Sequence, residues 1–598
     1  MSVEVLSNAD RSMGRLIMTT VLLRRILFVT LLTALACACT PPTTTTLNTP
    51  NGPPVRGGTL TYRVSAPPKT FNYLMATDEP TILVSFFLTG SRLVELDQDT
   101  QAYVPALAES WQLAPDGRTV EVTLRDGVKF SDGQPLTADD VVFSLRALND
   151  ERTASPLYGE SMQIGGRKIE ATTTDARHLR FTFPEQIATP ENYLSNLVVL
   201  PRHVLENALK GGTLATAYGL TTDPQKIVTA GPFMVAATTP GEQVTLKRNP
   251  NYWKKDKAGQ PLPYLDQIEI VVVSDGNNAL ARLQQGTVDI LDRIRPTDYA
   301  ALKDKQGNVG ARDLGPSLYA DNLWFNQNAG AQAGKPFVEP KKLAWFRDVR
   351  FRRAVSHAID RENIAANTYQ GLASPLYGFV TTGNRAWVAN DIPHTEYDLA
   401  KARALLQEAG FTTKGAGEAP ELYDPQGNRV EFTLIVSSEN ELRAKSALVV
   451  QEDLTRLGMK VNVAPLENTQ MQNRINQTFD YEAVLYGTSV SEPDPSSYTD
   501  VLRSSSASHL WSPKEPKPAT DWEAHLDDLT VQQAHETNAE RRHAIFRDIQ
   551  LLMAEQMPLI PIVTRHIAVA ANTRIGNYRP HPLPPFSLWN ADELYVRQ

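Results

Sequence analysis

A chain of 598 residues is too long for one hydrophobic core, since single cores stop growing near ~250–300 residues, so several lobes or domains are expected. Apolar residues make up 41% and charged residues 21%, the balance of a globular chain rather than a disordered or membrane-embedded one. The net charge of −8 leaves no basic excess for nucleic acid, and ten scattered histidines with two cysteines show no metal-ligand spacing and no disulfide framework.

The only long apolar segment is N-terminal. Arg24-Arg25 precede a run from Ile26 to Ala36; positive charge, a short apolar stretch and small residues together make a secretory signal, too short to span a membrane. Met13 and Met18 are alternative starts. The run ends in Cys37-Ala38-Cys39, the only cysteines of the chain. A small residue directly before a cysteine resembles a lipobox, so lipidation is expected at Cys37 or Cys39, which would then become the new N-terminus. An ordinary cleaved signal is the alternative. Residues 1–39 are therefore assigned to the signal, and residues 40–57, rich in Thr and Pro without apolar periodicity, to a disordered tether. At its flexible limit such a tether reaches ~25 Å.

Alternation of apolar residues from Gly58 to Val64 predicts the first strand, and Thr77-Asp78-Glu79 lie in a polar loop before a helix that begins at Thr81. The stretch from Val104 to Arg146 is the most informative. Pro115-Asp116-Gly117 is a turn, after which Val120, Val122 and Leu124 alternate with polar residues as in a half-buried strand. Asp126-Gly127 and Asp132-Gly133 are further turns. Thr137 and Asp140 then have the spacing of a capping box ahead of the apolar face Val141, Leu145 and Leu148.

Further strands are predicted at His178–Phe183, Ile268–Val273 and Trp324–Asn326, and a helix at Asn277–Gln285 stopped by Gly286. Phe346–Arg361 predicts a helix whose apolar face is Phe351, Val355, Ala358 and Ile359, with its five arginines read as a solvated, ion-paired face. Helices at Asp398–Gly410, Glu441–Leu457 and Ala539–Glu555 alternate with strands at Val430–Val436 and Met459–Ala464. That alternation means an α/β architecture with a mostly open sheet.

Nothing nominates a catalytic residue. There is no HExxH and no P-loop, and Gly487 to Ser491 lack the second glycine of a nucleophile elbow. Gly415-Ala416-Gly417 lack the third glycine of a dinucleotide fingerprint, and the pairs Asp139-Asp140 and Asp527-Asp528 read as solvated carboxylates. No enzyme, cofactor or resident metal is expected.

Val104–Arg146 closely resembles the most recognisable segment of the extracellular solute-binding proteins of the dipeptide, oligopeptide and nickel type, the binding components of ABC importers. Thr229–Phe233, Val244–Trp253, Pro261–Asp266 and Phe346–Arg361 carry the same resemblance, which covers about residues 58–598. It implies a two-lobed periplasmic-binding-protein fold: lobe I from 58–90, 227–312 and 565–598, an additional subdomain at 91–226, and lobe II at 313–564. It further implies an exported monomer at the outer face of the membrane or in the periplasm, handing a small solute to permease subunits. A short peptide is the leading ligand; an oligosaccharide or a nickel chelate is the alternative, and an exported hydrolase a more distant one.

The same resemblance implies four places for ligand contacts. Thr77, Asp78 and Glu79 correspond to a loop that meets the peptide. Trp387 either lines the cavity or packs as core, and Arg474 either approaches the ligand or stays on the surface. Tyr486 to Pro495 departs from the family pattern, because Thr488 stands where peptide binders carry a Trp and Ser491 where they carry the Asp that pairs with the peptide ammonium. Either Glu492 or Asp494 takes over that role, or the ligand has no free amino terminus.

Overall fold

The computed structural model of the chain describes residues 53–156, 159–305, 307–415 and 420–597. The expected leader with Cys37 and Cys39, and most of the expected tether, lie outside the described residues. β1 (Thr59–Val64) buries Leu60, Tyr62 and Val64 at alternate positions, as a period of two dictates. The Val104–Arg146 stretch contributes to a separate antiparallel sheet of β2 (Ala108–Leu113), β3 (Thr119–Leu124), β4 (Glu170–Thr173) and β5 (His178–Thr182), ordered β2-β3-β5-β4. α1 (Ala138–Leu148) packs on β4. Its expected cap is present: the Thr137 backbone N–H and hydroxyl donate to the Asp140 carboxylate at 2.9 and 3.1 Å, and Val141, Leu145 and Leu148 are buried.

The main sheet resumes with β6 (Phe233–Thr239), β7 (Gln243–Arg248) and β8 (Gln267–Val272), then α2 (Gly276–Gln284) and the short β9 (Ile290–Leu291). The seventeen-residue β10 (Val309–Phe325) follows, and beyond it α3 (Val349–Ala358), α4 (Leu399–Glu408), β11 (Glu431–Ser437), α5 (Glu441–Thr455), β12 (Lys460–Leu466) and β13 (Ala483–Ser489). After α6 (Asp521–His535) and α7 (Ala539–Gln556), β14 (Leu559–Asn572) returns along β10. The strand order is β6-β7-β8-β1-β9-β14-β10-β13-β11-β12, with Ala373–Pro375 paired alongside β14.

β10 and β14 form one antiparallel ribbon from Val309 opposite Asn572 to Trp324 opposite Leu559. One end extends into β9, where Ile290 faces Ala571, and the other into β13, where Tyr319–Phe325 face Ser489–Ala483. Each end has its own core. Val273, Leu283, Val288, Leu302 and Ala570 cluster at one, and Phe325, Phe346, Phe351, Phe432, Leu485 and Ile562 at the other. The architecture is therefore the expected α/β, two-lobed periplasmic-binding-protein fold. Among the described residues no helix is long and apolar enough to cross a membrane.

One expectation is corrected. Of the five arginines around α3, Arg350 is exposed and pairs with Asp348, but Arg352 and Arg361 are only 1% and 2% exposed. Each turns inward because backbone carbonyls meet its guanidinium: Phe346, Gln556 and Met557 around Arg352, and Ser356, Leu376 and Pro561 around Arg361. A planar fork of five donors can be satisfied by carbonyls alone.

Candidate functional site

On β10, opposite Val563 of β14 and Gly487 of β13, Asp321 is 1% exposed and holds two cations. Arg565 of β14 donates to it through Nε at 3.1 Å and through Nη2 at 2.9 and 3.0 Å, and Arg443, in the first turn of α5, through Nε at 2.9 Å. The Tyr369 hydroxyl also donates to it. Burial alone would raise the Asp321 carboxyl; Arg565 and Arg443 outweigh burial and hold it below the ordinary carboxylate range. Two guanidiniums sharing one carboxylate leave one positive charge in surplus.

Two of the expected ligand residues border this centre. The Tyr486 ring lies under the Arg443 guanidinium at 5.3 Å, and its hydroxyl meets Gln472 Nε2. Thr488 Oγ1 accepts from Asn322 Nδ2 at 2.8 Å, leaving Asn322 Oδ1 buried without a partner. Gly487 between them leaves room for the Arg443 guanidinium, which a Cβ there would displace. Arg474, on the turn Arg474–Thr478, is half-buried and has no carboxylate partner among the described residues.

Glu79, Asp292 and Arg293 carry a second set of charges. Arg293 pairs with Glu79 at 2.5 Å, and the Tyr62 hydroxyl donates to Asp292 at 2.7 Å. Burial lifts the Asp292 carboxyl to about 6. Of the expected loop triplet, Thr77 and Glu79 are exposed, whereas Asp78 caps a helix by accepting from Thr81 N at 3.0 Å.

The loop after β13 is engaged elsewhere. Ser491 is exposed, and its hydroxyl has no partner among the described residues. Glu492 accepts from the Tyr103 hydroxyl and from Ser195 Oγ at 3.1 Å, and burial pushes its carboxyl up to about 7. Asp494 is clamped by Arg542 through Nη1 and Nη2, both at 2.8 Å, and caps Pro495–Tyr498 through Ser496 N at 2.9 Å. Neither carboxylate is left free. Trp387 stacks on His543 with ring centroids 3.9 Å apart, and the Arg542 guanidinium lies 5.0 Å from its ring.

Asp321, Tyr369, Arg443 and Arg565 carry no local sequence signal that marks them as partners, since Asp321 meets Arg443 across 122 positions and Arg565 across 244.

Relatives cover nearly the whole chain. A probable ABC transporter-binding protein of Deinococcus radiodurans is 28% identical over 588 residues, 94% of this chain and 96% of that protein. The oligopeptide-binding protein AppA of Bacillus subtilis is 27% identical over 81% of this chain and 83% of its own. Its structure in complex with a nonapeptide superposes with a TM-score of 0.67 at 24% identity, covering 91% of this chain and all of AppA. MelB of Agrobacterium fabrum C58, solved with stachyose, superposes with a TM-score of 0.68 at 22% identity, covering 92% of this chain and 86% of MelB. The model of the bacterial extracellular solute-binding proteins, family 5, matches residues 102–509, more than half of the sequence, and the chain belongs to that family of ABC-transporter substrate-binding components.

Proposed function

We propose that this protein captures a short peptide or peptide-like solute bearing a carboxylate, one that presents no free ammonium group at Ser491, and delivers it to the permease of an ABC importer. Like the family to which it belongs, it binds rather than transforms its solute. The observation that carries the reading is the surplus positive charge of Arg443 and Arg565 over Asp321, set beside Tyr486 and Thr488. A buried ammonium needs an anionic partner, and the two carboxylates near Ser491 are already committed to Arg542, Tyr103 and Ser195. The oligopeptide-binding relative supports a peptide class. In this reading lobe I comprises 58–90, 227–312 and 565–598, the subdomain 91–226 and lobe II 313–564. The solute is enclosed between the lobes, and only its differential affinity for the closed form holds them together.

A solute at a hundredfold excess over Kd stabilises the folded state by about 2.7 kcal/mol, enough to shift a melting midpoint. A thermal-shift screen of free di- and tripeptides, N-acetylated peptides, oligosaccharides and nickel chelates should give its largest shift with an N-acetylated peptide. The largest shift from stachyose, or from a free dipeptide but not its acetylated form, would overturn the proposal.

Acylation at Cys37 or Cys39 is part of the same reading. Labelled fatty acid should enter the protein in cells, and replacing both cysteines by serine should release it from the membrane fraction. Label that survives the double replacement refutes the anchor.

A further inference from the structure

In the second lobe, away from the Asp321 centre, three buried side chains converge: His509, Glu515 and Glu523, exposed by 0%, 8% and 4%. One ligand atom from each lies within 4.8 Å of the others. Their spacing in sequence matches no common metal motif, because two of them come from the loop before α6 and the third from its first turn. We propose that they bind a divalent cation of the zinc class, which pins this loop to α6.

The imidazole is set up as a ligand. His509 Nδ1 lies 3.0 Å from the Val501 carbonyl, which can only accept, so the proton sits on Nδ1 and Nε2 offers its lone pair. Nε2 is buried and has no hydrogen-bond partner. Its nearest carboxylate oxygen, Glu523 Oε1, is 3.9 Å away, too far for a hydrogen bond. Two bonds of ~2.0–2.1 Å to a shared ion can span that gap.

Both carboxylates are held from behind, as metal-bound carboxylates are. Trp511 Nε1 donates to Glu523 Oε1 at 3.1 Å and Thr520 Oγ1 to Oε2 at 2.7 Å. Ser512 Oγ and Ala519 N donate to Glu515.

Two buried carboxylates this close repel one another unless a cation or a proton lies between them. Among the described residues no arginine or lysine forms an ion pair with Glu515 or Glu523, and Arg352 donates instead to the carbonyls of Phe346, Gln556 and Met557. One imidazole nitrogen with two carboxylate oxygens suits zinc, with water as fourth ligand; calcium and magnesium favour more oxygens and no imidazole.

The test uses untagged full-length protein stripped with a chelator and titrated with Zn2+ against a chromophoric competitor. One equivalent should bind at micromolar Kd or tighter, and the melting midpoint should rise with Zn2+ but not with equal Mg2+ or Ca2+. His509→Gln and Glu515→Gln, if folded by circular dichroism, should each weaken binding at least tenfold. Zn X-ray absorption of the wild-type complex should show one imidazole with oxygen ligands, which decides the matter even if a variant fails to fold. No stoichiometric binding, undiminished binding by folded His509→Gln, or a shell without imidazole would each overturn the proposal.

Discussion

Asp321→Asn should lower the stability of the folded protein by ~3–5 kcal/mol, because it removes the carboxylate that pairs with two largely buried guanidiniums. Asparagine still accepts hydrogen bonds from Arg565, Arg443 and Tyr369 but neutralises neither cation. Since the Asp321 carboxyl is held below its ordinary value, its contribution is complete above the unfolded pKa near ~3.9 and is lost as pH falls through the depressed folded value. Wild type and variant should therefore differ fully at pH 7 and converge in acid. Adding Arg443→Met to Asp321→Asn should recover part of the loss by removing one unpaired cation. Urea unfolding monitored by tryptophan fluorescence measures both, and a loss below ~1 kcal/mol for the single variant would show that the cations find water instead.

Glu492 should impose the opposite pH dependence, worth roughly 3 kcal/mol or slightly more. Its carboxyl is pushed from an ordinary 4.5 up to about 7 by burial, with Asp494 adding to the rise while Tyr103, Ser195 and Arg92 oppose it. The fold thus favours the neutral acid. Below pH ~4.5 both folded and unfolded chains are protonated and the stabilisation is whole. Between there and about 7 the unfolded chain ionises first, so stability falls as pH rises, and above 7 the loss is constant. Glu492→Gln should erase this slope and make the variant more stable than wild type at pH 8, as read from unfolding midpoints across pH 4 to 8. Identical pH profiles for the two proteins would mean that Glu492 is hydrated and ionised throughout. Ionisation strengthens the hydrogen bonds from Tyr103 and Ser195, so the stability lost is the cost of burying the charged carboxylate itself.

The local grammar of the chain was legible wherever one principle acts over a few neighbours. The turn at Asp116-Gly117, the alternation Val120-Val122-Leu124 and the Thr137–Asp140 box all stand as read, since each is closed within three or four residues. Contacts between distant segments were not legible. The arginines at 352 and 361 look like any solvated helix face until carbonyls about 200 positions away are folded onto them. Asp494 could be offered as a partner for a peptide ammonium because nothing near it in sequence announces Arg542. Tyr486 and Thr488 were expected through a motif, but the charge beside them is assembled only by distant segments: β14 brings Arg565 alongside Asp321, and α5 brings Arg443.

The β10–β14 ribbon has a mechanical consequence. Its ladder slips register three times between Asp313 and Asn322, Pro316 has no N–H to donate, and Gly315 adopts a left-handed φ of +84°. A ribbon already interrupted there is compliant at that spot and stiff on either side, so bending concentrates along one short axis. Two hydrogen-bonded strands resist sliding and splaying far more than two loose linkers would. The molecule then behaves as a leaf spring with one soft mode: it flexes without ordering any coil, and little of the solute's binding free energy is spent on taming slack chain.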